Sequence, residues 1–175
     1  MSEIEQQNHG KTSGDRIRRW LLPVGAGLLA GIVIAGVMVW TLMPKMMITR
    51  HESRYSVEET CQRLRDAINA TEGWTCPAVR DLNKSMAKQG VAFGPKVRLV
   101  ELCNAEYAKS VLGSDRHVAT LMPCAFAVYE DNDGTVWISG MNTSLMGTMM
   151  GGNIAKVMGD SVASDETKIL SSVLK

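Results

Sequence analysis

The residues best suited to chemistry in this chain are its four cysteines, which lie at positions 61, 76, 103 and 124. None of them forms a C-x-x-C pair, so the zinc-ribbon and thioredoxin signatures are absent. Cys61 lies on the apolar face of a predicted helix, where a free thiol behaves as a small hydrophobic residue. We expect no disulfide between Cys61 and Cys76. The distance along the helix from Cys61 to the turn that follows is greater than the distance along the next strand from that turn to Cys76. The two Cα atoms would therefore lie too far apart for a disulfide.

Cys103 and Cys124 form the more suggestive pair. The first ends a predicted strand, the second begins another, and both adjoin turn-forming residues. If those strands are neighbours, the two sulfurs could meet at one end of a sheet. Three interpretations stay open: two buried small residues, a structural disulfide, or a functional thiol pair that binds metal or carries persulfide. His117 is close to Cys124 in sequence and could complete a metal site, although the spacing matches no conventional set of ligands.

A group of methionines near the C-terminal end offers softer ligands. Met141, Met146, Met149 and Met150 lie within ten positions of one another. Thioether sulfur prefers Cu(I), so Met146, Met149 and Met150 are candidate soft-metal ligands. Methionine at helical spacing also fits the packing of a helix onto a core, and this second interpretation stays open.

Signatures of the common enzyme classes are missing from the sequence. It contains no G-x-S-x-G, no P-loop and no G-x-G-x-x-G. A predicted helix cap accounts for Glu58 and Glu59, and a predicted turn accounts for Asp131 and Asp133. The formal net charge of +1 and the lack of a basic run argue against nucleic-acid binding. The sequence therefore favours a protein that is not an enzyme, and it implies no particular cofactor.

The run Trp20–Met43 contains no charged side chain. At about 1.5 Å per helical residue it reaches about 36 Å, enough to cross a hydrocarbon core of about 30 Å with some tilt. Trp20 and Trp40 lie where indoles favour the two membrane interfaces. A cleaved signal peptide is the weaker interpretation, because the run exceeds the usual apolar stretch of about 7–15 residues and no A-x-A-like site follows it. We predict a single transmembrane helix at 20–43, after a disordered cytoplasmic tail at 1–19.

Charge and small residues suggest an orientation and a helix-packing face. Arg16, Arg18 and Arg19 cluster directly before the span, which favours a cytoplasmic N-terminus and a periplasmic or otherwise extracytoplasmic C-terminal domain. Gly27 and Gly31 form a G-x-x-x-G motif, and Ala35 extends it by one turn. Such a stripe lets two helix backbones approach closely, so we expect a homodimer or a membrane-protein partner.

The remainder of the chain predicts one small domain, with a connector and first strand at 44–54 and the rest at 55–175. Ser56 and Glu59 have the spacing of a capping box that opens a helix. The run Asp131–Gly134 separates two β-rich segments and predicts a hairpin. Apolar periodicity predicts further helices towards the C-terminal end, the last of them capped by Ser164. Strands and helices mix without βαβ alternation, so we expect an α+β fold with an antiparallel sheet and a helical layer.

Three strings in this domain resemble a known family. They are Tyr55-Ser56-Val57-Glu58-Glu59-Thr60, then Leu102-Cys103-Asn104-Ala105, and Met122-Pro123-Cys124 followed by Val128-Tyr129-Glu130. In this order they resemble the domain of unknown function 302 family over about residues 50–172, with Ala105 in place of the family's usual proline.

The resemblance implies a fold similar to the TATA-binding-protein-like α+β class, commonly dimeric, and it carries no established activity. Cys103 and Cys124 match cysteines often seen in the family. The stretch Met146–Met158 also resembles the family's C-terminal region, which favours packing over a copper site.

Together these observations predict a membrane-anchored extracytoplasmic binding or accessory domain. Its partners would be the lipid bilayer, a second copy of the chain and a small ligand or partner protein. One alternative is a thiol-based redox, sulfur-handling or metal-binding protein that uses Cys103 and Cys124. Another is an accessory subunit of a membrane complex, docked through the stripe Gly27, Gly31 and Ala35.

Overall fold

The structure is a computed structural model that describes residues 13–174. The chain divides into two units, one ending at Pro44 and the other beginning at Lys45.

One long helix, α1, spans Ser13–Met46. It makes up the described part of the first unit, and its last two residues belong to the second unit. It begins within the segment 1–19 that was predicted to be disordered, because each residue added to an existing helix gains a hydrogen bond at little cost. The tail at 1–12 lies outside the described residues. The transmembrane helix was predicted to end at residue 43, but α1 continues through Pro44 to Met46, and helix ends vary by about 1–2 residues with the assignment. The run Gly27–Met46 is long and apolar enough to cross a membrane, although a signal sequence near the N-terminus meets the same criteria.

An antiparallel six-stranded sheet forms the framework of the second unit. The order is β1-β6-β5-β4-β2, and β3 also pairs with β4. The break that separates β2 from β3 falls at Pro77, which cannot donate to a ladder. The predicted Asp131–Gly134 hairpin is present between β5 and β6, with Gly134 at a φ of 83°. The strand bounds are β1 Ile48–Ser53, β2 Trp74–Thr75, β3 Val79–Asp81, β4 Val97–Asn104, β5 Cys124–Glu130 and β6 Val136–Met141.

Helices begin where the sequence supplies caps. The Ser56 hydroxyl accepts from Glu59 N–H at 3.2 Å, as the capping box predicts, whereas the Glu59 carboxylate accepts from Arg63. Asn104 caps the helix that follows β4. The helices are α2 Val57–Ala70, α3 Leu82–Ala87, α4 Ala105–Ser114, a 3₁₀ segment Arg116–Leu121, α5 Thr143–Met150, α6 Gly152–Ile154, a π-helical segment Ala155–Val162 and α7 Ala163–Val173.

The last three of these helical pieces follow one another without interruption, and this differs from the prediction. Ser164 was predicted to cap a separate helix, but it lies inside the continuous run from Gly152 to Val173. A wide π-helical turn carries the chain past the predicted boundary, so no new N-terminus is created there.

The core lies between one face of the sheet and these helices. Paired residues of neighbouring antiparallel strands share a face, and Val100 opposes Phe126 while Val128 opposes Ile138. All four are buried. The apolar face of α2 packs against them and against the C-terminal helices. The expected α+β architecture with an antiparallel sheet is confirmed. The α2 residues in this core are Val57, Cys61, Leu64 and Ile68.

Candidate functional site

The strands that carry Cys103 and Cys124 are neighbours, as the prediction required. Leu102 is the direct partner of Cys124, while Cys103 opposes Thr75 on β2. Because side chains alternate across a strand, Cys103 and Leu102 leave β4 on opposite faces. Cys124 shares the face of its partner Leu102, so the two cysteine side chains leave the sheet on opposite faces, although they are close along it. Both are free thiols in this structure.

Both cysteines line one shallow pocket of about 30 Å³ at this end of the sheet. Its walls come from β2, the end of β4, α4, the segment before β5 and the π-helical segment, so the site draws on distant parts of the chain. We call it the aromatic pocket. It is lined by Trp74, Leu102, Cys103, Asn104, Tyr107, Ala108, Met122, Pro123, Cys124, Met158 and Val162.

One carboxylate holds the aromatic wall of this pocket in place. Trp74 and Tyr107 meet edge to face with their ring centroids 6.0 Å apart. Asp165 Oδ2 accepts from Trp74 Nε1 at 3.1 Å and from the Tyr107 hydroxyl at 3.2 Å. Burial opposes ionisation of Asp165, but hydrogen bonds from Lys168, Trp74 and Tyr107 outweigh it and lower its pKa. Asp165 therefore stays ionised as a fixed acceptor between β2, α4 and α7.

A turn at Gly73 leads directly into Trp74, the first residue of β2. Gly73 has a φ of 76°, a conformation that L side chains rarely adopt. A Cβ placed there would lie 2.9 Å from Asn104 Nδ2. The Asn104 side chain that caps α4 thus packs directly on the Gly73 backbone, and Trp74 enters the core beside it.

Burial favours the protonated form of three thiols in this domain, those of Cys61, Cys76 and Cys124. Burial raises the pKa of Cys124 to about 12, and the nearby Glu166 and Cys103 add to the shift. Burial likewise raises the pKa of Cys61 to about 11 and that of Cys76 above its ordinary value. Since the thiolate is the reactive and metal-binding form, Cys124 is a poor nucleophile and a poor metal ligand at neutral pH.

The histidine predicted as a third ligand is not part of the pocket. His117 is exposed on the 3₁₀ segment and does not contribute to the lining. Among residues 13–174, no group of three or more His, Cys, Asp or Glu side chains is placed to hold a metal ion. The site built from Cys103, Cys124 and His117 is not assembled.

The candidate methionine ligands divide into two groups. Met146 and Met149 line a second, smaller pocket together with Met141 and with Met47, which the sequence analysis did not select. Met150 lies outside that lining and is exposed. The fourth methionine of this pocket is therefore Met47, more than a hundred positions before Met150 in the chain.

The small-residue stripe of α1 leaves room for the backbone of another helix to approach closely. Within the part of the chain that the structure describes, a Cβ built on Gly27 or Gly31 would meet no atom of another element within 4 Å. The surrounding helix surface is exposed, including Ala35.

Several residues of the aromatic pocket were not predicted. Trp74 and Tyr107 in its lining, and Asp165, which accepts a hydrogen bond from each of them, were not among the candidate site residues. The one local pattern that indicates Trp74 is the Gly73-Trp74 pair after a helix, because a glycine turn there places a large aromatic residue at the end of a sheet.

Comparison with known proteins agrees with this architecture. A protein-family model described as domain of unknown function DUF302 matches residues 49–173. The chain belongs to the DUF302 family. The DUF302 domain is similar to the crystal structure of an uncharacterized conserved DUF302 protein from Bacillus stearothermophilus, with a TM-score of 0.64 and 22% identity. The match covers 73% of this chain and 98% of that one, and it shows the fold alone. A search of curated proteins finds no match.

Proposed function

We propose that this protein is a membrane-anchored extracytoplasmic binding domain whose aromatic pocket contacts a small apolar group. That group would belong to a small ligand or to a side chain of a partner protein. The observation that carries the proposal is the pocket itself, an open apolar recess with two aromatic rings fixed by Asp165. Binding sites are typically concave and apolar with a few fixed polar groups.

The thiol-based alternative is less well supported. It needs a thiolate or a readily deprotonated thiol, and the raised pKa of Cys124 opposes this. In the proposed function, Cys103 and Cys124 serve as small apolar parts of the pocket lining. The anchoring is supported by the length and apolarity of Gly27–Met46, and the N-terminal arginine cluster favours an extracytoplasmic domain.

A docking role for the helix is a second candidate function, because Gly27 and Gly31 leave one face of α1 open to the close approach of another helix.

We also propose that the fold belongs to the TATA-binding-protein-like class. A single antiparallel sheet with helices packed on its buried face supports that assignment.

The binding function is tested with indole as an apolar aromatic probe. The full-length chain is labelled with ¹³C-methyl methionine in nanodiscs and titrated with indole. Met122 and Met158 line the pocket, so their methyl signals should shift saturably, while the signal of Met149 should not move.

Ala108→Leu provides the matched control, because it adds bulk inside the pocket and should abolish the shifts. If Met122 and Met158 do not respond, or if the response survives in Ala108→Leu, the aromatic pocket is not a binding site.

A further inference from the structure

The smaller pocket is unusual because four of its six lining residues are methionines. Four methionines contribute from three elements: Met47 directly precedes β1, Met141 ends β6, and Met146 and Met149 lie one turn apart on α5. Asn142 and Leu145 complete the lining. We call this the methionine pocket. It lies apart from the aromatic pocket, with which it shares no lining residue.

Backbone contacts bring these methionines together. Asn142 N–H donates to Met47 O at 2.8 Å, and Asn142 Nδ2 donates to Met46 O at 2.9 Å. Asn142 Oδ1 accepts from Leu145 N–H at 3.0 Å and caps α5. One residue thus ties the start of β1 to the end of β6 and the start of α5. The oxygen and the nitrogen of the Asn142 amide are both already hydrogen-bonded. The methionine sulfurs are therefore the ligand atoms that remain available to a bound ion.

The size and chemistry of the space restrict what can fill it. The cavity of about 10 Å³ is about the size that holds one water-sized particle. A water molecule needs two to four polar partners, and a hard cation needs oxygen ligands. Neutral thioethers meet neither requirement, but they are the preferred ligands of soft monovalent cations.

We propose that the methionine pocket binds one soft monovalent cation, Cu(I) or Ag(I), through its thioether sulfurs. Helix packing explains Met146 and Met149, which are three residues apart on α5, but it does not explain why Met47 and Met141 converge on them from strand ends. These two residues are each 37% exposed and Met149 is 50% exposed, so the pocket is open to a cation from solvent. Thioethers carry no proton, so binding should not require deprotonation.

The test uses Ag(I) alone as the probe, on the full-length chain in nanodiscs with ¹³C-methyl methionine, at pH 5 and at pH 8. The methyl signals of the four pocket methionines should shift together to saturation at both pH values. The signals of Met150 and Met122 should stay in place. The cysteines of the chain should compete for Ag(I) more strongly at pH 8 than at pH 5, because a thiol releases a proton when it binds metal.

Leucine is close to methionine in volume, so the double variant Met141→Leu, Met146→Leu should keep the fold. Its affinity for Ag(I), read from the Met47 methyl signal, should fall on the order of 100-fold or more, because even the loss of an outer-shell partner costs about 10–100-fold. Met150→Leu is the matched control, one position outside the lining, and its affinity should be unchanged.

The proposal is wrong if Ag(I) moves no pocket methyl signal, or if the double variant binds as tightly as the natural chain. Silver uptake that disappears only when the cysteines are alkylated would assign binding to the thiols and would also overturn it. If circular dichroism shows that the double variant is unfolded, Met149→Leu decides the question, since that side chain is half-exposed. Unchanged affinity in that variant excludes the site.

Discussion

Glu166 is a buried carboxyl group whose hydrogen-bond partner is a neutral hydroxyl. It is 8% exposed, and its Oε2 accepts from the Thr143 hydroxyl at 2.8 Å. Burial raises its pKa from 4.5 to about 7, against the opposing effect of that hydrogen bond. The neutral acid is therefore the form that the core accommodates.

This shift predicts how stability depends on pH. Between pH 4.5 and about 7 the unfolded chain loses the Glu166 proton while the folded chain keeps it, so stability falls as the pH rises through this window. The loss amounts to about 3 kcal/mol. Glu166→Gln keeps an acceptor for Thr143 and cannot ionise, so its melting temperature should change less between pH 5 and pH 8 than that of the natural chain.

Thermal melts at several pH values measure this difference. The exposed Glu106→Gln serves as the control and should follow the natural chain. Equal pH dependence in the natural chain and in Glu166→Gln would show that Glu166 titrates normally.

At the scale of elements, α5 and the π-helical segment touch backbone to backbone at two glycines. A Cβ built on Gly147 would lie 2.6 Å from Gly159 Cα, closer than any real contact. A Cβ built on Gly159 would find its nearest atom, Gly147 Cα, at 3.6 Å, an ordinary contact. The two glycines face each other, yet only one of them has no room for a side chain.

This asymmetry predicts different effects for two alanine substitutions. Gly147→Ala should lower the free energy of unfolding by about 2–3 kcal/mol, because a backbone contact cannot yield as a side chain can. Gly159→Ala should change it by less than about 1 kcal/mol, since the helical gain from alanine offsets any crowding. Urea unfolding of both variants measures this, and an equal loss in both would contradict the predicted difference between the two glycines.

Local sequence signals were sufficient for much of the fold. Ser56, Asn104 and the Asp131–Gly134 turn act within a few residues, so their helix starts and hairpin could be predicted. Ser164 has the composition of a cap, but a π-helical turn keeps the chain helical there, and that turn depends on packing against α5.

The candidate site was less predictable because it depends on register and distant contacts. The proximity of Cys103 and Cys124 followed from adjacent strands, whereas their placement on opposite faces of the sheet depends on the pairing of Leu102 with Cys124. No local pattern brings Met47 to Met141, because those residues meet only when β1 pairs with β6.

At the scale of the whole molecule, the helix and the domain have separate roles in the proposed function. We predict that the full-length chain stays with vesicles after an alkaline carbonate wash, and that chemical crosslinking of the washed vesicles yields dimers. Replacing Gly27 and Gly31 together by leucine should abolish the dimers, because close backbone approach needs both positions small. Membrane retention should be unchanged, since leucine is more apolar.

Val33 is two residues from Gly31, which places it on roughly the opposite side of the helix. The control variant Val33→Leu should therefore leave the dimers intact. Release of the natural chain by carbonate would remove the anchor from the proposal. Dimers that persist in the double glycine variant would place the self-association elsewhere.

Asp165 and Glu166 are adjacent in the chain and respond to acid in opposite directions. Asp165 stabilises the fold only while it is charged, so its contribution disappears as the solution becomes strongly acidic. Glu166 stabilises the fold only while it is uncharged, so its contribution disappears towards neutrality. The combined contribution of these two consecutive carboxyl groups on α7 to stability is therefore largest in mildly acidic solution.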